Sequence, residues 1–126
     1  MSILIANPNP PFNITRMSHV VLTSKDLDKT RYFYETGLGL EITFHDKDFL
    51  CMRAIEETSN HSIIFERNKT DTASICRRIG YRVYNQEDLN KAQNYFNSIG
   101  HKTEFVERPF QGNTLQLLDG IGTPIE

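Results

Sequence analysis

At 126 residues the chain is long enough for a single domain that buries roughly two-thirds of the surface its unfolded form exposes. Its formal net charge of −2 excludes the strongly basic footprint of a nucleic-acid binder, and its densest positive stretch, Arg77, Arg78 and Arg82, reads as a solvated strand face. No apolar run is long enough to span a bilayer. The opening Met1-Ser2-Ile3-Leu4-Ile5 segment has no positive flank, and the two cysteines, Cys51 and Cys76, have no CxxC spacing and read as free thiols. The expectation is a cytoplasmic protein with neither nucleic acid nor membrane as partner.

Residues 1–13 form a proline-rich extended leader. Residues 15–23 then alternate as a strand, with Val20 and Leu22 on one face and His19, Val21 and Thr23 on the other. Ser24 or Asp26 supplies an N-cap for a helix over about 26–36, whose apolar stripe is Leu27, Phe33, Tyr34 and Leu38 and whose stop is Gly37 and Gly39. Three short strands follow near 40–45, 48–54 and 61–66, the first two joined by a turn at His45-Asp46-Lys47-Asp48. A strand at 78–84 and a helix at 87–98 come next, with Leu89, Ala92, Phe96 and Ile99 inward and Gly100 ending it. Strands near 102–107, 114–118 and 123–126 close the chain. The aromatics Tyr32, Phe33, Tyr34, Tyr95 and Phe96 have helical spacing and are expected in the core, while His45 and His101 are expected to be exposed.

The order β-α-β-β-β thus occurs twice. Asp26-Leu27-Asp28-Lys29-Thr30-Arg31-Tyr32-Phe33-Tyr34 returns, about sixty residues on, as Asp88-Leu89-Asn90-Lys91-Ala92-Gln93-Asn94-Tyr95-Phe96. A period of that length is too long for a solenoid unit and too short for an ordinary domain, so the copies (about 14–67 and 76–126) are two halves of one α+β domain over 14–126. Halves that complete one another build a cleft between them.

The run His19-Val20-Val21-Leu22-Thr23-Ser24-Lys25-Asp26-Leu27, followed by Gly37-Leu38-Gly39-Leu40, resembles the opening of a vicinal oxygen chelate module, the superfamily of glyoxalases, bleomycin-resistance proteins and extradiol dioxygenases. Asp119-Gly120-Ile121-Gly122-Thr123-Pro124-Ile125-Glu126 is similar to that superfamily's ending, with Gly120 where proline is usual. The segment from Phe49 through Phe65, and Gly80-Tyr81-Arg82-Val83, resemble more narrowly the N-terminal domain of catechol extradiol dioxygenases of the homoprotocatechuate and metapyrocatechase types. The resemblance implies two βαβββ repeats forming an open eight-stranded cupped barrel.

It also implies where a metal would sit. Catalytic modules of the superfamily take a histidine from the first strand, a histidine from the first strand of the second half, and a glutamate from the last strand; two imidazoles and a carboxylate leave open positions on Fe(II). The first and third positions here are His19 and Glu126, but the second is Arg78. A guanidinium keeps its proton and has no lone pair to donate, so Arg78 is expected to repel a divalent cation and to pair with Glu126. Glu66 is the possible substitute ligand and His61 a further candidate. Strand parity allows at most one of these two into the cup; otherwise His61 reads as solvated and Glu66 as a surface charge. No Ser-His-Asp order, phosphate-cradling glycine loop or HExxH is present.

The functional expectation is an N-terminal, non-catalytic module of an Fe(II)-dependent extradiol catechol dioxygenase. Its partners would be a C-terminal catalytic module holding the iron and a catechol-type small molecule, in a homo-oligomer. The last strand stops four residues in, as expected of one domain of a longer chain. The alternatives are a stand-alone glyoxalase-type metal lyase or isomerase, which needs His19, Glu126 and a third donor, and a metal-free ligand-binding module of the bleomycin-resistance type, for which Arg78 and Arg82 suit an anion.

Overall fold

The computed structural model describes residues 7–70 and 75–126, so the expectation for Met1 to Ile5 lies outside the described residues. The first repeat comprises β1 (Ile14–Ser24), α1 (Leu27–Arg31), β2 (Glu41–His45), β3 (Phe49–Arg53) and β4 (Ile63–Arg67). The second comprises β5 (Cys76–Val83), α2 (Gln86–Ser98), β6 (Thr103–Arg108), β7 (Gly112–Leu118) and β8 (Pro124–Ile125).

All eight strands form one mixed sheet in the order β2-β3-β4-β1-β5-β8-β7-β6, so each half is the other's counterpart across a central antiparallel β1–β5 pair. Within each half the first strand runs parallel to the last (β1 with β4, β5 with β8) and the remaining pairs are antiparallel. The sheet curls: Phe44 on edge strand β2 meets Phe110, in the turn at the opposite edge, with ring centroids 5.3 Å apart. The expected α+β, eight-stranded open cup is the observed architecture.

Strand alternation sorts the first repeat's apolar residues onto two faces. Leu50, Met52 and Phe65 pack with Leu27 of α1, joined by Leu22, Tyr34, Leu40, Ile42 and Ile63. The intervening residues Cys51 and Ile64, with Val21 of β1, face into the cup beside Phe44 and Phe49. Asp26 caps α1 by accepting from the amides of Asp28 (3.1 Å) and Lys29 (3.0 Å). The hairpin at Asp46 forms as expected, its Oδ1 accepting from the amides of Asp48 (2.8 Å) and Phe49 (2.7 Å).

Three expectations are corrected. α1 is only five residues long and continues as a wider π-helical turn over Tyr32–Gly37, closed by Gly39 at φ +71°. The extra residue in that turn rotates the apolar stripe, leaving Phe33 (59 % exposed), Leu38 and Tyr32 on the surface while Tyr34 and Leu40 turn inward. In α2 the expected inward residue Ile99 lies past the last turn and is exposed, as is Tyr95. His45 and His101 are half-buried, His101 with its ring 5.8 Å from Phe96.

The leader is also more than a tail. Phe12 packs against Phe96 (5.6 Å) and Tyr95 (6.2 Å), and Asn13 donates to the carboxylate of the buried Asp88 in the first turn of α2 (3.3 Å). Both well-formed apolar clusters belong to the first repeat; the second contributes only Ala92, Leu115 and Leu117 as buried apolar side chains among the described residues. Leu50→Ala is therefore expected to lower unfolding free energy by about 2–5 kcal/mol in urea denaturation, whereas Phe33→Ser, on the solvent side of the π turn, stays within about 0.5 kcal/mol of the parent.

Candidate functional site

The end of the chain is aimed by a turn. Asp119 Oδ1 accepts from the amides of Ile121 (2.9 Å) and Thr123 (2.8 Å), Gly122 adopts φ +90°, and these backbone hydrogen bonds hold the Asp119 carboxyl below its usual range. The chain returns as β8 beside β5: the Glu126 amide donates to the carbonyl of Ile79 (3.0 Å), and the Tyr81 amide donates to the carbonyl of Glu126 (2.7 Å). The Glu126 side chain is thereby delivered into the cup with no solvent exposure.

Four side chains meet its carboxylate. Oε1 lies 2.8 Å from His19 Nε2 and accepts from Gln111 Nε2 at 3.2 Å, while Oε2 accepts from Arg108 Nε at 3.0 Å. Arg78 Nε is 3.1 Å from Oε2, but its N–H is not aligned with that oxygen. The contact is an ion pair rather than a hydrogen bond, and among the described residues Nε is a buried donor without a hydrogen-bonding partner. Burial alone would raise the Glu126 carboxyl; the hydrogen bond to His19 and the charge of Arg78, helped by Gln111 and Arg108, outweigh it and bring the group down to about 2.

Arg78 also bridges to the other side of the cup, where its Nη2 donates to Glu66 Oε1 at 2.7 Å; Arg77 stands 3.6 Å from the second oxygen. Arg108 additionally bonds Gln116. The cup thus contains two carboxylates, Glu66 and Glu126, interleaved with the guanidiniums of Arg78 and Arg108. Buried charges persist when paired in this way.

His19 is placed by its neighbour. It stands opposite Gly80 in the β1–β5 ladder, and a Cβ at Gly80 would fall 2.2 Å from the imidazole Cε1. Only the missing side chain lets the ring lie flat on β5 and reach Glu126. Its other nitrogen, Nδ1, is 3.1 Å from Ser18 Oγ.

His61 departs from both sequence readings. It is buried, not solvated, and its ring stands edge-on to His19 at 5.2 Å. Glu66 is in the cup too, in phase with Ile64, so strand parity does not separate the two. The reason is that β4 begins only at Ile63; alternation does not govern the loop that carries His61, whose Nδ1 faces Asn60 Oδ1 at 3.1 Å. Burial pushes the His61 imidazole below its usual range, the adjacent His19 ring adds to this, and Glu126 and Gln111 oppose it. Arg108, Gln111 and the burial of His61 were not anticipated. The one available signal was that Arg108 is in phase with the inward Val106 on β6.

The donor set does not fit a divalent cation. Both oxygens of Glu126 are already engaged, two guanidiniums occupy the space before them, and Glu66 points to Arg78. Among the described residues no three histidine, cysteine, aspartate or glutamate side chains converge as a metal site would require. Nor, among the described residues, is any helix long and apolar enough to cross a membrane.

An eight-stranded cup of paired βαβββ repeats with a histidine and a glutamate converging from its first and last strands defines a vicinal oxygen chelate module. The chain belongs to the glyoxalase/bleomycin resistance protein/dioxygenase superfamily, whose model matches residues 16–117. Among solved structures it is similar to an extradiol ring-cleaving dioxygenase from B. fuscum, at 27 % identity and a TM-score of 0.83 over 98 % of this chain and 34 % of that one. It is also similar to a variant of homoprotocatechuate 2,3-dioxygenase from B. fuscum, at 28 % identity and a TM-score of 0.83 over 94 % of this chain and 33 % of that one. The same enzyme from Brevibacterium fuscum in complex with 3,4-dihydroxyphenylacetate matches at 28 % identity and a TM-score of 0.82, over 94 % of this chain and 37 % of that one. The chain spans about a third of the length of these relatives, and the likeness to the N-terminal region of such dioxygenases stands as the sequence implied.

Glu126 is ionised in the fold at pH values where it is protonated in the unfolded chain. Its contribution is therefore complete above its ordinary value of 4.5 and disappears as pH falls through about 2. Glu126→Gln is expected to lose about 3 kcal/mol at neutral pH, with the gap to the parent narrowing between pH 4.5 and about 2 in urea melts. Gly80→Ala is expected to drive the His19 ring off Glu126, costing about 1–3 kcal/mol. If the ring contact is the cause, that penalty shrinks in the His19→Ala background, as a double-mutant cycle would measure.

Proposed function

We propose that this chain is an N-terminal, non-catalytic module of an Fe(II)-dependent extradiol catechol dioxygenase, in which iron, catechol and dioxygen are handled by a second module of the same fold. The observation that carries this reading is the ion cluster: the position that would ligate a metal is held by Arg78, whose guanidinium lies against Glu126 and Glu66. The likeness to ring-cleaving dioxygenases about three times as long as the matched region supports it. In this role the chain's residues build architecture. Glu126 ties β8 to β1, β5 and β6 through His19, Arg78 and Arg108, and the exposed Tyr32, Phe33 and Leu38 offer apolar surface for a neighbouring module or a second copy in a homo-oligomer.

A glyoxalase-type lyase would need His19, Glu126 and Glu66 to turn toward one ion. Here the first two are bonded to each other and the third to Arg78, so the geometry weighs against that alternative. Anaerobic titration of the purified chain with Fe(II) is expected to show no saturable uptake and no ring cleavage of 3,4-dihydroxyphenylacetate. Arg78→His is expected to introduce measurable uptake by removing the repelling charge and supplying a lone pair. Stoichiometric iron in the parent chain, lost on His19→Ala, would refute the proposal.

A further inference from the structure

Beside the ion cluster lies a cavity of about 470 Å³, of a size that takes a small organic molecule. Its floor includes the buried polar groups of His61 and Thr114, and its walls include the apolar side chains of Val83, Leu89, Leu115 and Phe110. Among the described residues the only carboxylate lining it is Glu126, whose oxygens are occupied by His19, Gln111, Arg78 and Arg108. Arg82 also lines the cavity and, among the described residues, its guanidinium has no ion pair or hydrogen bond.

A second, independent observation bears on Arg82. It stands directly opposite Arg16 in the β1–β5 ladder, and like charges facing each other across a sheet are destabilising. Arg16 is neutralised by Glu57 at 3.4 Å and also bonds Ser59; among the described residues Arg82 has no such partner. The N-cap Asn85 and the first residue, Gln86, of the thirteen-residue α2 border the same cavity, so the positive end of that helix lies near Arg82.

We infer that this cavity is a binding site for a small organic monoanion, a carboxylate carried on an apolar body of ring size, with Arg82 as the anion's partner. The apolar walls receive the body. Arg78, the arginine that sequence reasoning paired with Arg82 for an anion, is committed to Glu66 and Glu126 and takes no part. The site works without metal, and in this it rests on the proposal above.

Phenylacetate is a suitable probe, with 2-phenylethanol as its neutral counterpart, each titrated into the full chain in the presence of EDTA and followed by amide chemical shifts. The expected result is saturable shifts centred on Tyr81, Arg82, Gln86 and Gln111 with phenylacetate only. Arg82→Gln should weaken them about tenfold or more, the loss of one charge-assisted hydrogen bond, while Lys29→Gln on the far helix leaves them unchanged. Both variants lie at exposed positions, and their unperturbed spectra serve as the check on folding. Absence of saturable shifts, equal response to 2-phenylethanol, or indifference to Arg82→Gln would each overturn the inference. Failure of the metal-free reading shows separately, as Fe(II) uptake by the parent chain with or without phenylacetate.

Discussion

A single buried carboxylate organises this molecule. The Glu126 side chain has no solvent exposure, yet it is held in its charged form because a histidine, a glutamine and two arginines converge on its two oxygens from β1, β5, β6 and the turn that follows β6. Those strands do not all neighbour one another in the sheet, so the carboxylate joins by charge what the backbone ladder alone leaves apart. Taking such groups out of water is expensive and is tolerated only with near-complete pairing. One donor, Arg78 Nε, falls short of a hydrogen bond among the described residues.

If the chain is the non-catalytic module proposed above, the same arrangement explains how one fold can serve two roles. Strands β1 and β8 bring a histidine and a glutamate together whatever the third partner is. A third partner with a lone pair leaves room for a cation between them; a guanidinium fills that room with a positive charge of its own. On the proposal above, the difference between a metal centre and a strut would reside in the guanidiniums that stand against Glu126, Arg78 on β5 and Arg108 on β6.

Much of this was legible in the residues. The repeat, the chain order of elements within each half and the opposite facings of Leu22 and Val21 follow from spacing and parity, while the pairing of Arg78 with Glu126 follows from the family resemblance and the chemistry of guanidinium. What was not legible depends on breaks in periodicity. The π turn at Tyr32 to Gly37 shifts Phe33 and Leu38 outward, and no local sequence rule announces it. His61 sits in a loop whose backbone, not strand alternation, decides where the ring goes. Arg108 reaches Glu126 across an intervening strand, a contact set by the curl of the whole sheet. Gly80 could be recognised as a strand glycine, but its purpose emerges only when the imidazole is seen lying on it.

The unequal cores of the two repeats have a bearing on how the molecule comes apart. The first half is stitched by apolar clusters on both faces of its strands, whereas Ala92 is the only buried apolar side chain of α2 among the described residues, with the leader packing on that helix through Phe12 and Asn13. Opening motions draw on the least buried elements first. Fraying of the N-terminal strap would thus loosen α2 and the outer hairpin of β6 and β7 while the opposite half stays shut, making the two near-copies unequal in their breathing.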